Sequence, residues 1–306
     1  MNDPWPRRAA AQLFDRPRTT VPELVRALLA VQAQDSKAAA LALRARGTGF
    51  TRADVEQAIR AKEIVRAWGP RGTLHLIAAD DLPWLLSLTR PSTATIARRL
   101  TQLGVTGDDL AGRVEKATYG QGPLTKAELG ERLRAEGQAI IHLAALAAER
   151  GRLVLGPDKG GKATYVHAAD WLGAPIAFEP DRDKALKELG TRYARAHAPA
   201  TPEDLAYWSG VSLKEARRAH QDVPEKEPWE GTRLVPAFDE FLLGWKERAP
   251  MTVPTATIVP GGGMIRPAVV KDGKIVATWS LGGNDREIRA DEEFADIANF
   301  LHITSK

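Results

Sequence analysis

Apolar residues recur along this chain at helical spacing, in short runs closed by glycines, prolines or polar clusters. The first run, with Leu24, Leu28, Leu29 and Val31, predicts a helix over 20–31, and helices over 37–45 and 51–61 follow. The pattern then changes to the β-rich stretches Ile64–Trp68 and Arg71–Ile77. Helical spacing returns over Asp108–Tyr119, over Thr125–Glu136 with Gly137 as its stop, and over Ala139–Arg150, where Ile140, Leu143, Leu146 and Ala147 form one stripe. Two apolar strands come next, Leu153–Leu155 and Ala163–Val166, joined by a turn rich in glycine and lysine. Three more short helices, Lys184–His197, Thr201–Ser209 and Ser212–His220, lead to the strand-like Thr232–Val235. Beyond Pro236 the chain reads as strands at Thr255–Val259, Met264–Lys271 and Lys274–Leu281, with Asp272-Gly273 as a hairpin turn, before a last helix over Asp291–His302.

Five of the helices open on one local signature, a Thr or Ser followed three residues later by an acid: Thr20 with Glu23, Thr51 with Asp54, Thr125 with Glu128, Thr201 with Asp204 and Ser212 with Glu215. In such a capping box the hydroxyl accepts from the third backbone N–H, and the acid faces the positive end of the helix. Short capped helices followed by strands predict an α+β chain of three tandem winged-helix units, at 8–80, 92–172 and 181–236. A small β-barrel-like domain at 237–306 completes it.

Composition removes several chemistries. The 306 residues include no cysteine, which excludes disulfides, thiolate metal sites and a cysteine nucleophile. The six histidines show no metal-ligand spacing, and Gly261-Gly262-Gly263 lacks the strand–loop–helix setting of a phosphate loop. No metal or cofactor is expected. Neither a signal sequence nor a membrane-length apolar run is visible, so a cytoplasmic location is expected. Charge is uneven: residues 1–170 hold 25 Lys/Arg against 18 Asp/Glu, while 171–306 hold 18 against 21. The basic portion suits a polyanion partner.

The stretch Val31-Gln32-Ala33-Gln34-Asp35 is the candidate site. Two glutamines two residues apart diverge by about 200° on a regular helix, so they share a side only where the helix ends or the chain is extended. Paired amides can hold a water but are neither acid nor base near neutral pH, so any chemistry they serve must need little activation. An ordinary polar helix end is the competing interpretation.

Read together, several phrases resemble the winged-helix DNA glycosylases of the AlkZ type: Val31–Asp35, Arg71-Gly72-Thr73-Leu74-His75-Leu76, Pro199–Leu205, Leu234–Gly244, and Arg266-Pro267 with Asp272-Gly273 and Trp279. The resemblance implies three tandem winged helices and a β-barrel around a C-shaped, basic DNA channel. It also implies a catalytic Gln–apolar–Gln motif, matched here by Gln32, Ala33 and Gln34, and a β-hairpin that reaches the DNA, with the turn bearing Met264 and Arg266 as its counterpart. The activity implied is hydrolysis of the glycosidic bond of N7- or N3-alkylated purines in double-stranded DNA, with interstrand crosslinks as possible substrates. A monomer at the nucleoid is the default.

Further residues carry two interpretations each. Lys159 and Lys162 at the hairpin tip lie along a phosphate backbone or serve solubility. Arg71 and His75, taken as sharing one strand face, contact phosphate, or His75 is a packed strand histidine. His142 is structural or groove-facing. Lys37 is the rival nucleophile, as an imine-forming lysine. Asp35 is a helper of the chemistry or makes a local backbone bond at a helix C-terminal turn, and Asp239-Glu240 opens a helix or does acid–base work. A winged-helix DNA-binding protein or transcriptional regulator without catalysis is the alternative function.

Overall fold

The computed structural model describes residues 3–280 and 290–301. In chain order the elements are α1 (Trp5–Ala11), α2 (Val21–Leu28), the short extended β1 (Val31–Gln32), α3 (Ser36–Arg44), α4 (Arg52–Arg60), β2 (Ile64–Trp68), β3 (Leu74–Ala78), α5 (Leu82–Thr89) and α6 (Thr93–Gln102). There follow α7 (Leu110–Thr118), β4 (Leu124–Thr125), α8 (Lys126–Leu133), α9 (Gly137–Glu149), β5 (Leu153–Lys159), β6 (Lys162–His167) and α10 (Ala168–Leu172). The last third holds α11 (Arg182–His197), α12 (Pro202–Ser209), α13 (Leu213–Ala219), β7 (Thr232–Val235), α14 (Glu240–Leu243), α15 (Thr255–Ile258), β8 (Ala268–Lys271), β9 (Lys274–Thr278) and α16 (Asp291–Phe300). The expected element ends at Leu281 and His302 lie outside the described residues.

The helix starts were well marked. All five hydroxyl–acid pairs cap as expected, with the hydroxyl accepting from the N3 backbone N–H and the acid accepting from the cap residue's own N–H.

The chain divides into two compact units, one of residues 1–55 with 186–306 and one of residues 56–185. In the second, four antiparallel pairings order the strands β3-β2-β5-β6-β4, with the β2–β3 and β5–β6 hairpins meeting at Arg66 opposite Leu155. Helices α6 to α9 pack beside this sheet, burying Ile96, Leu100, Val114, Leu129, Leu133 and Leu143 with Trp68 and Tyr165. Each fully buried side chain of this size contributes about 1.5–3 kcal/mol.

The first unit is centred on aromatics. Trp5 meets Phe241 and Trp245 edge-on at 5.6 and 5.4 Å, and Phe14 lies 5.2 Å from Phe241. Beside them β7, β8 and β9 form an open antiparallel sheet of three strands rather than the expected barrel-like domain. The expected strand over Thr255–Val259 is instead the single-turn helix α15, following Pro254, and Met264–Lys271 is strand only from Ala268. Pro267 has no N–H to give a ladder, so pairing starts after it. The Asp272-Gly273 turn is as expected: both residues have positive φ (47° and 79°), and a Cβ on Gly273 would stand 2.6 Å from the Pro6 nitrogen. Among the described residues, no helix is long and apolar enough to cross a membrane.

Candidate functional site

Helix α2 stops at Leu29, whose φ of 73° turns the chain out of the helix. The chain that follows is extended as β1 through Gln32 and bends at Gln34, and burial alternates along it: Val31 and Ala33 are buried, Gln32 is half-buried and Gln34 exposed. Val31 and Ala33 thus turn to the core, while Gln32 and Gln34 keep solvent access.

Asp35 does bond locally, though not at the helix C-terminal turn expected for it. It is the N-cap of the following helix α3, its Oδ1 accepting from the Lys37 and Ala38 backbone N–H groups at 2.8 and 3.0 Å. The carboxylate thus occupies the positive helix end, beside the half-buried Gln32 and the exposed Gln34. Lys37, exposed in the first turn of α3, gives its backbone N–H to this cap.

Helix α3 is the frame of the motif, and buried arginines fix its far end. Arg44, 1 % exposed, reaches Asp296 at 2.9 Å and Glu293 at 3.0 Å on α16 and the Leu234 carbonyl at 2.8 Å. Arg16 joins the same two carboxylates, and Arg233 joins Glu293. Two residues past Arg44, Arg46 makes a bidentate pair with fully buried Asp239 at 2.6 and 2.8 Å and donates to the Gln12 amide oxygen. Gln12 in turn donates to the Ala196 carbonyl. The sequence reading missed these arginines, although Leu43-Arg44-Ala45-Arg46 sets two cations in an apolar frame. Asp239 also accepts from the Phe241 N–H as cap of α14, and Glu240 accepts from the Trp208 indole, so the helix-opening interpretation of this pair stands and both are core ligands.

The remaining candidates are scattered. Arg71 sits in a tight turn (φ 57°) ahead of β3, so it and His75 do not share a strand face, yet its charge reaches the imidazole. His75 is wholly buried on β3, its Nδ1 3.0 Å from the Thr73 carbonyl. Burial first, then Arg71, pushes its pKa down to about 3, against the opposing backbone bond. Because the native pKa lies below the ordinary 6.5, the unfolded chain takes up the proton first as pH falls. Stability contributed by neutral His75 is complete above about pH 6.5 and lost towards pH 3, with a ceiling of about 5 kcal/mol. The melting temperature is expected to fall between pH 7 and 4, and less steeply in a His75→Asn variant; equal slopes would refute this.

The two hairpin lysines differ. Lys159 is bound to Glu128 at 2.7 Å, and this bond, with the Thr125 N–H, holds Glu128 down to about 2. Lys162 is exposed and lines a groove of about 1010 Å³ with Lys126, Arg134 and Tyr165. Met264 and Arg266 are exposed at a glycine turn closed by a bridge between Gly261 and Met264. His142 is half-buried on α9.

A family model described as DNA glycosylase AlkZ-like matches residues 25–227 and 219–295. An interstrand DNA cross-link repair glycosylase of Streptomyces sahachiroi is 28% identical over 319 residues, spanning 88% of this chain and 84% of that protein. The solved structure of the Streptomyces sahachiroi DNA glycosylase AlkZ shares the fold, with a TM-score of 0.77 over 99% of this chain and 98% of that one at 24% identity.

Proposed function

The chain belongs to the AlkZ-like DNA glycosylase family, and from that premise we propose that it releases cationic N7- or N3-alkylated purines from double-stranded DNA and unhooks interstrand crosslinks made through such bases. The observation that supports this reading is that Gln32 and Gln34 keep solvent access between buried Val31 and Ala33 and a carboxylate committed to a helix cap.

An alkylated purine is already positively charged. When the C1′–N9 bond breaks, its electron pair returns to the ring and the base leaves neutral, so no strong acid is required. What remains is to place a water on the opposite side of the sugar and to favour the oxocarbenium-like centre. The Gln32 and Gln34 carbonyl oxygens accept from that water and turn partial negative charge towards C1′. The water oxygen bonds to C1′, its surplus proton passes to solvent, and an abasic sugar is left. On this reading the enzyme is a monofunctional monomer acting at the nucleoid without metal or cofactor, and basic side chains hold the phosphate backbone of the DNA.

Base release from a duplex containing N7-methylguanine, with none from the same duplex carrying guanine, is the expected result. Release from neither would leave the non-catalytic DNA-binding alternative. Borohydride should trap no protein–DNA adduct; an adduct lost in Lys37→Ala would replace the water mechanism with an imine. Of the hairpin lysines, Lys162→Ala is expected to lower the salt dependence of binding by about one phosphate contact, a slope change near 0.9, while Lys159→Ala, already neutralised by Glu128, leaves it unchanged. The reverse order would refute the assignment.

A further inference from the structure

Helices α7, α8 and α9 followed by the β5–β6 hairpin have the order in which a winged helix sends its third helix into the major groove. In this chain the third helix is unfit for that task. Helix α9 has no Lys or Arg, and Ala139, Ile140, Leu143, Ala144, Ala147 and Ala148 are all buried. A helix apolar nearly all round is a core element. Its neighbours are α6, α7, α8, β2 and β5.

Helix α6 packs against it. Ile96 and Leu100, one turn apart, are 5 % and 1 % exposed and are the buried anchors of α6. At about 100° per residue, Arg98 then points directly away from α9 and Arg99 flanks the contact. Both arginines are exposed. Arg99 donates to Gln102 at 3.0 Å, and its charge helps hold the His142 pKa down, after burial. Arg98 has no acidic partner among the described residues. From Pro91 to Gly107 the sequence contains no acid at all, whereas Ser and Thr recur. A segment with cations and hydroxyls and no acid of its own suits a row of phosphates.

We propose that the outer face of α6, through Arg98 and Arg99, is a phosphate-backbone contact, and that residues 56–185 grip DNA there without reading its sequence. The inference rests on duplex DNA being the substrate. It accounts for a helix of ordinary groove-reading position that carries no Lys or Arg: a repair enzyme must act in any sequence, and backbone contacts supply affinity without base preference.

The test uses the full chain with Arg98→Glu/Arg99→Glu and, to separate lost attraction from added repulsion, Arg98→Gln/Arg99→Gln. Binding to a duplex with N7-methylguanine and to the same duplex with guanine is followed by fluorescence anisotropy over a range of sodium chloride. Both variants are expected to flatten the plot of log affinity against log salt by about 1.8, two contacts' worth, equally for both duplexes, with unchanged melting temperature. Single-turnover base release at saturating enzyme should keep the wild-type rate. A wild-type salt slope in the glutamine variant overturns the proposal, as does a rate lost at saturation with the slope unmoved. If the unmodified enzyme releases no base from any duplex, the glycosylase reading fails while the salt slopes still decide this one.

Discussion

Replacing both Gln32 and Gln34 by alanine is expected to slow base release from N7-methylguanine DNA about 100-fold under single-turnover conditions, with little change in affinity or melting temperature. The factor corresponds to about 2.7 kcal/mol of transition-state stabilisation, the scale of one well-placed electrostatic contribution. It is modest because the substrate brings its own leaving-group activation. Stability should be spared because Gln34 is exposed and Gln32 half-exposed, while the buried partners in the same segment, Val31 and Ala33, are untouched. Gln34→Asp should retain much of the rate, since a carboxylate accepts from water at least as well as an amide. A double-alanine enzyme of wild-type rate would end the water-positioning mechanism.

The largest stability effect is expected at the other end of the same frame. Asp239→Ala should lower the free energy of unfolding by about 3–5 kcal/mol, read from urea denaturation. The loss arises because Arg46, 1 % exposed, would be left buried with its charge unmatched, and because α14 loses its cap. Arg46→Met/Asp239→Leu removes both charges together and should recover most of that loss. If Asp239→Ala cost no more than a surface substitution, below about 0.5 kcal/mol, the buried pair would not be holding this part of the fold.

The contrast between these two sites explains what could be read from the sequence. Local chemistry was legible. A hydroxyl with an acid three residues on located five helix starts, and a two-residue Asp-Gly turn located the β8–β9 hairpin, because each is decided within four residues. Helix α6 escaped the same scan because its cap, Ser92, is followed by Thr95, so the hydroxyl does the capping with no acid to advertise it. The reverse error occurred at Thr255–Val259, where β-branched residues suggested a strand but no partner strand pairs with them among the described residues. Asp35 was readable in principle as a cap, yet the apolar pattern through Val31 carried the predicted helix three residues too far, past Leu28, and placed the acid at the wrong helix. The arginine pairs were beyond reach: Arg44 and Asp296 are 252 positions apart, and only the folded chain brings them together.

That separation has a consequence for how the molecule is made. Residues 56–185 form a continuous stretch and can close on themselves while the chain is still emerging. The glutamine-bearing segment, by contrast, is synthesised early and must wait for α16, since Arg44 has no carboxylate to neutralise it until Glu293 and Asp296 leave the ribosome. At roughly 5–20 residues per second that interval lasts roughly ten to fifty seconds. Throughout it the first segment carries an uncompensated guanidinium, and the frame of the glutamine stretch is completed only once α16 has emerged.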